Sequence, residues 1–138
     1  MALVIDASIA GTWLLPDEAN AACTAIGQRV VDEGAKVPDL FWHEIRNLLI
    51  MGVQRKRITE TQVWHQIEQI ENMPVHTALQ RPSVPLAKLA LKYNLTAYDA
   101  AYLDLAIDQA LPLATLDKML RRAALLEGVI LLPAKLPD

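Results

Sequence analysis

The sequence contains almost no cysteine, and this shortage sets the first limits on what the protein is. Cys23 is the single cysteine among 138 residues, so an intrachain disulfide and a cysteine-based metal site are excluded. Cys23 lies in an apolar helical stretch and is expected to be part of the core, and its isolation fits a reducing, cytoplasmic setting. Repeats, low-complexity tracts and Gly-, Ser- or Pro-rich linkers are also missing. Residues 1–138 are therefore expected to form one domain.

An excess of positive charge and a long apolar segment are missing as well. The formal net charge is −3 and the isoelectric point is about 5.6, whereas proteins that coat nucleic acid are usually basic. Any nucleic-acid binding is therefore expected to be local. The N-terminus has no basic segment and its apolar run is broken by Asp6, which predicts neither a signal peptide nor a membrane span.

Short apolar runs of strand length alternate with helical segments along the chain. Each connection is long enough for a crossover, which favours an α/β fold with a central parallel sheet covered on both faces. The expected strands are 2–5, 36–38, 74–76, 113–116 and 129–132, and the expected helices are 17–33, 39–57, 59–72, 82–93, 96–110 and 117–126. Ligands of such sheets bind at the carboxyl ends of the strands. This rule directs attention to Asp6 and Asp117, which each directly follow an expected strand.

Two further acids lie within the apolar faces of helices. At about 100° per residue, Glu44 falls inside the apolar stripe of its helix. Asp99 also projects into an apolar stripe, whereas Asp104 and Asp108 on the same helix are expected on the opposite, polar side. The helical projection therefore separates Asp99 from its acidic neighbours.

Each of these four acids also has a purely structural explanation. Asp6 and Asp117 stand where a helix N-cap is expected, and Asp99 has capping-box spacing from Thr96. Glu44 fits a position at the rim of its helix, with its carboxylate extending to water.

Taken together, the four acids point to metal-dependent chemistry. Asp and Glu are almost never fully buried unless they are paired, and no Lys or Arg lies near Glu44 or Asp99 on either stripe. Clustered carboxylates repel one another, and Mg²⁺ or Mn²⁺, which prefer oxygen ligands, relieve that repulsion. A bound ion of this kind activates water, so an acid-only site fits phosphodiester hydrolysis.

Four segments carry a family resemblance that covers nearly the whole chain. They are Val4-Ile5-Asp6-Ala7-Ser8; Val37-Pro38 followed by Glu44, Asn47 and Leu48; Thr96-Ala97-Tyr98-Asp99-Ala100-Ala101-Tyr102 with Leu105-Ala106; and Leu113-Ala114-Thr115-Leu116-Asp117. In this order and spacing, the sequence resembles a PIN domain, specifically the VapC-type toxin ribonucleases of bacterial and archaeal toxin–antitoxin pairs.

The resemblance implies a three-layer α/β/α PIN-like domain that cleaves RNA endonucleolytically. The implied Mg²⁺ or Mn²⁺ site and catalytic set is Asp6, Glu44, Asp99 and Asp117, with Ser8, Asn47 and Thr115 as supporting residues. The implied partners are an RNA substrate, a small antitoxin protein that covers the active groove, and a second copy of the chain in a homodimer.

Other functions remain open at this point. A catalytically silent PIN-like module, acting through a partner interface with its acids serving as caps, is the main alternative. A response-regulator receiver needs an acid pair near its first strand, and a haloacid-type phosphatase needs Asp-x-Asp. Both fit poorly, because the chain has Asp6-Ala7-Ser8.

Two other clusters allow more than one interpretation. Arg55, Lys56 and Arg57 form either a solvated helix end favoured by the helix dipole or a contact to the RNA backbone. The apolar run of residues 13–15 is either core or a contact surface for an antitoxin or a second copy.

Overall fold

The computed structural model describes all 138 residues and contains five strands and seven helices. In chain order these are β1 (Leu3–Ile5), α1 (Ala7–Leu14), α2 (Ala21–Glu33), β2 (Ala35–Val37), α3 (Leu40–Gln54), α4 (Glu60–Asn72), β3 (Val75–Thr77), α5 (Ser83–Tyr93), α6 (Ala97–Gln109), β4 (Leu113–Ala114), α7 (Lys118–Leu126) and β5 (Leu131–Leu132). One turn of 3₁₀ helix, Pro16–Glu18, connects α1 to α2.

The five strands form one parallel sheet in the order β3-β2-β1-β4-β5. The chain moves outward from β1 to β3 and then returns to β4 on the other side of β1. The order therefore reverses between β1 and β4, and the crevice beside such a reversal is where ligands of doubly wound sheets bind.

The helices form two layers. Helices α1 to α4 follow β1 and β2, while α5 to α7 follow β3 and β4. Since crossovers between parallel strands are right-handed, the reversal of the strand order places these two groups on opposite faces of the sheet. The predicted three-layer α/β/α fold with a central parallel sheet is confirmed. A cluster of 28 buried residues, running from Leu3 to Ala124, forms the core.

Several predicted local features are present. The capping box of α4 is complete, because Thr59 and Gln62 each accept a hydrogen bond from the other's backbone N–H. Gly34 ends α2 with a φ of 84°, which a residue without Cβ adopts without strain. Leu14 and Leu15 are buried, so the apolar run after the first strand is core.

Two local predictions were wrong. The helix predicted over 17–33 begins only at Ala21, because the side chain of Asn20 caps it by accepting from Cys23 N at 2.9 Å. Asp104 was predicted to face solvent but is buried. The reason is Arg81, which reaches across from the loop after β3 and binds the Asp104 carboxylate at 2.8 Å.

No helix has the length and apolar character needed to cross a membrane.

Candidate active site

Asp6 is the buried centre of the candidate site. It follows β1 at the reversal point of the sheet and caps α1 by accepting from Ile9 N at 3.2 Å. The Ser8 hydroxyl donates to the same carboxylate oxygen at 2.6 Å, and the Thr115 hydroxyl donates to the other oxygen at 2.5 Å. These three donors fix the orientation of the carboxylate.

The same two hydroxyls tie the loop after β4 to Asp6. Thr115 Oγ1 accepts from the backbone N–H of Asp117 at 3.0 Å, and Ser8 Oγ accepts from that of Leu116 at 2.9 Å. Asp117 in turn caps α7 by accepting from Leu120 N at 2.8 Å. Ser8 and Thr115 therefore both contact Asp6, and they join the ends of β1 and β4 into one unit.

Glu44 lies on α3, and its charge acts on Asp6. Its carboxylate accepts a hydrogen bond from the hydroxyl of Tyr102 at 2.5 Å. Tyr102 is buried on α6, so this bond connects one helix layer to the other.

Asp99 lies in the first turn of α6, half-buried. The hydroxyl of Thr96 accepts from the backbone N–H of Asp99 at 3.1 Å and caps the helix. The backbone N–H of Asp99 takes part in this cap, and a hydrogen bond from Thr96 to its carboxylate lowers the pKa of Asp99 against the larger effect of burial.

The pKa shifts show that the four carboxylates act on one another. Burial raises the pKa of Asp6 to about 6, and the charge of Glu44 adds to that rise. The pKa of Glu44 is raised by burial and then by the charge of Asp99. The pKa of Asp99 is raised by burial and then by the charge of Asp117. The acids thus form a continuous chain of mutually repelling charges.

Lys and Arg do not neutralise this chain. None of the ion pairs in the structure involves any of the four acids. The other buried acid, Asp104, is paired with Arg81. Asp6 therefore stands out as a buried carboxylate that the protein has left without a cation.

One expected supporting residue lies elsewhere. Asn47 is exposed on α3 and makes no hydrogen bond to the four acids. It lines a surface hollow with Leu48, Arg55 and Arg57. In addition, no group of three or more His, Cys, Asp or Glu side chains is arranged to hold a metal ion by itself.

Sequence reasoning missed two residues that shape the site. Tyr102 belongs to a quoted family segment, and its position three residues after Asp99, on the same helix face, was the available signal. Arg121 is buried and donates from its guanidinium to the backbone oxygens of Thr115 at 2.8 Å and Pro133 at 2.7 Å. No sequence pattern marks that contact.

The fold and the candidate site together define a doubly wound α/β domain with an acidic centre at the reversal of its sheet. The PIN domain family profile matches residues 3–126, a span that contains all four acids. The chain belongs to the PIN domain family, as the resemblance predicted.

Two proteins from Pyrobaculum aerophilum are similar to this chain, one in sequence and one in structure. The chain is 30% identical over 126 residues to Ribonuclease VapC3, an alignment that covers 87% of this chain and 92% of the relative. It is also similar in structure to the crystal structure of PAE2754, with a TM-score of 0.74 at 20% identity, covering 95% of this chain and 89% of that one. The second likeness concerns the fold alone.

Proposed function

We propose that this chain is a VapC-type ribonuclease that uses Mg²⁺ or Mn²⁺ to hydrolyse RNA phosphodiester bonds, with Asp6, Glu44, Asp99 and Asp117 as its catalytic acids. The observation that carries the proposal is the chain of four carboxylates, without a neutralising cation, at the ligand-binding edge of the sheet. The name of the relative, Ribonuclease VapC3, agrees with it.

The chemistry of these side chains fits a hard divalent cation. All four donors are carboxylates, and Mg²⁺ is usually held by one or two carboxylates while it keeps several waters. A site of this kind does not require three side chains to enclose the ion. When bound, the cation would supply a water of lowered pKa and stabilise negative charge on the phosphate.

The residues of the chain prepare the site in three ways. Ser8 and Thr115 hold Asp6 in one orientation, and Tyr102 holds Glu44. Asp117 uses Oδ1 to cap α7 and keeps its second oxygen free of protein hydrogen bonds. The buried position of Asp6 excludes bulk water from one side of the centre.

The test is cleavage of RNA by the purified chain with Mg²⁺, with Mn²⁺ and with a chelator. We expect cleavage that the chelator abolishes and that Asp99→Asn reduces by at least about a hundredfold, since a ligand to the reacting centre is lost. Asp108→Asn, on the polar side of the same helix, is the matched control and should cleave like the wild type.

Cleavage by Asp99→Asn at the wild-type rate would contradict the proposal. The alternative, a silent binding module, is favoured by the observed use of Asp6 and Asp117 as helix caps. It predicts no cleavage by the wild-type chain in any metal.

We also propose that the chain works in the cytoplasm, as a homodimer restrained by a small antitoxin protein. Support comes from the VapC-type relative and from the slightly high mean hydropathy of +0.21, which suits apolar surface covered by a partner. Expression from the native operon should yield a complex with a short neighbouring gene product. A lone, monomeric product would contradict this proposal.

A further inference from the structure

Helices α1 and α3 lie side by side and run in the same direction from the candidate site. At their N-terminal ends, Asp6 caps α1 and the charge of Glu44 on α3 reaches Asp6. Midway, a Cβ on Gly11 would come within 2.8 Å of Leu48 Cδ1. The line of contact between the two helices, here called the seam, therefore leads away from the acids.

This seam ends in a hollow of about 330 Å³. Its walls come from the end of α1, the 3₁₀ turn and the last turns of α3: Leu15, Glu18, Asn47, Leu48, Met51, Gly52, Arg55 and Arg57. Three of these side chains, Asn47, Arg55 and Arg57, carry N–H donors. The acid in the wall, Glu18, is already bound to Arg57 at 3.1 Å.

The structure separates the three adjacent basic residues into different roles. Arg57 is fixed by the carboxylate of Asp17, at 2.8 and 3.0 Å, as well as by Glu18. Lys56 adopts a left-handed backbone conformation and does not line the hollow. Arg55 is exposed, lines the hollow and has no carboxylate partner. Lys56 makes no ion pair either, so Arg55 is distinguished as the unpaired cation of the cluster that lines the hollow.

Arg55 also shares the helix face of Glu44. The two are eleven residues apart, so their projections differ by only about 20° at about 100° per residue. The rise of 1.5 Å per residue separates them by about 16 Å along the axis. That distance is about five nucleotides at a stacked rise of ~3.4 Å, and fewer in an extended strand.

We infer that the Asn47–Arg55 hollow is a backbone-phosphate subsite for single-stranded RNA, with Arg55 as the phosphate ligand. The inference rests on the proposed ribonuclease function, because it needs a strand that crosses the acidic centre. Guanidinium and amide donors match phosphate oxygens. In a chain of net charge −3, an unpaired arginine on the acid-bearing face supplies the local attraction that the whole molecule lacks.

The first test is RNA binding in an Asp6→Asn background, where cleavage is prevented. Binding of an oligoribonucleotide of about ten nucleotides is measured by fluorescence anisotropy over a salt series. We expect Arg55→Gln to weaken binding about five- to tenfold at low salt, and to reduce the slope of log K against log salt by about 0.7, the loss of one phosphate contact. Lys56→Gln removes the same charge one residue away and should change binding less than twofold.

Equal effects of Arg55→Gln and Lys56→Gln would overturn the subsite, since general charge would then explain both. An unchanged slope in Arg55→Gln would overturn it too. The subsite would also be overturned if Arg55→Gln weakened binding of the antitoxin protein and left RNA binding unchanged. The hollow would then be a protein-binding surface.

The second test separates this inference from the proposed function. In the otherwise wild-type chain, Arg55→Gln should raise KM for the same RNA about five- to tenfold and leave kcat unchanged. Cleavage by Arg55→Gln with an unchanged KM would defeat the subsite and leave the nuclease intact. Absent cleavage by the wild type, combined with Arg55-dependent RNA binding, would defeat the nuclease and leave the subsite intact.

Discussion

At the scale of single residues, Asp6 combines a structural role with its proposed catalytic one. It caps α1 and accepts two hydroxyl hydrogen bonds, yet its burial raises its pKa to about 6. The hydrogen bonds favour the ionised form, but desolvation outweighs them. Ionisation of Asp6 therefore lowers the free energy of unfolding of the metal-free chain, and a bound cation would offset that loss.

The first prediction is that Asp6→Asn stabilises the chain in a chelator. Two pKa units correspond to about 3 kcal/mol, and we expect a gain of about 1–3 kcal/mol at pH 7, since the amide replaces one acceptor with a donor. The folded state holds the extra proton between about pH 4 and pH 6, so the wild type loses stability as the pH rises through that window. The difference between the two proteins should grow from pH 4 to pH 6 and then stay constant.

Urea unfolding at several pH values measures this difference. Asp32→Asn, which removes an exposed carboxylate from α2, should shift stability by less than about 0.5 kcal/mol. A loss of stability in Asp6→Asn above pH 6 would show that ionised Asp6 stabilises the metal-free fold, contrary to the expectation.

The second prediction concerns Tyr102, the hydrogen-bond donor to Glu44. Tyr102→Phe keeps the ring in the core and removes the hydroxyl that orients the carboxylate. Loss of a group that positions a metal ligand typically costs about 10–100-fold in metal affinity or activity, and we expect a loss at the low end of this range for both Mn²⁺ affinity and cleavage. Tyr98→Phe, at an exposed position on the same helix, should match the wild type in both assays. A normal Mn²⁺ affinity in Tyr102→Phe would argue against a positioning role.

At the scale of elements, the loop after β4 brings the two halves of the sheet together. The strand predicted over 113–116 ends at Ala114. The residues that follow it make hydrogen bonds to Asp6 and Ser8. The hydroxyl of Thr115 donates to Asp6, and its carbonyl oxygen accepts from Arg121. The sequence run Leu113-Ala114-Thr115-Leu116 looks like a continuous strand. The contact between Thr115 and Asp6 joins residues 109 positions apart, so the run itself does not predict it.

The third prediction is that Arg121→Gln destabilises the fold by about 2–4 kcal/mol. The guanidinium donates to the carbonyls of Thr115, Leu132, Pro133 and Ala134, and the shorter amide leaves buried acceptors unpaired. Arg122→Gln, one residue along and exposed, should change stability by less than about 0.5 kcal/mol. Urea unfolding of both variants provides the comparison. Equal losses of stability would show that the hydrogen bonds of Arg121 do not stabilise the fold.

At the scale of the whole molecule, the sequence was enough to predict the arrangement of the layers. It also predicted that Asp6 and Asp117 lie beyond the carboxyl ends of strands. Strand-length apolar runs and helical periodicity are local signals, and Asp6 and Asp117 follow strands in the sequence itself. The partnership of Arg81 with Asp104, and that of Tyr102 with Glu44, join segments 23 and 58 residues apart. Such contacts do not affect the periodicity of apolar residues in the sequence. The helical projection therefore places Asp104 on the solvent side of α6, which is wrong, and it does not single out Tyr102.

The supporting role expected for Asn47 stays a prediction. Asn47 lies one turn beyond Glu44 on α3, and its side chain is exposed. Its neighbours there are Leu48, Arg55 and Arg57 rather than the acids.

The fourth prediction concerns the whole acidic centre, since its carboxylates come from the ends of β1 and β4 and from α3 and α6. Equilibrium binding of Mn²⁺, measured by calorimetry, tests most directly whether they act as one cation site. We expect binding by the wild type and by Asp108→Asn, and a loss of at least about tenfold in affinity in each of Asp6→Asn, Glu44→Gln, Asp99→Asn and Asp117→Asn. Wild-type affinity in all four of these variants would contradict the account.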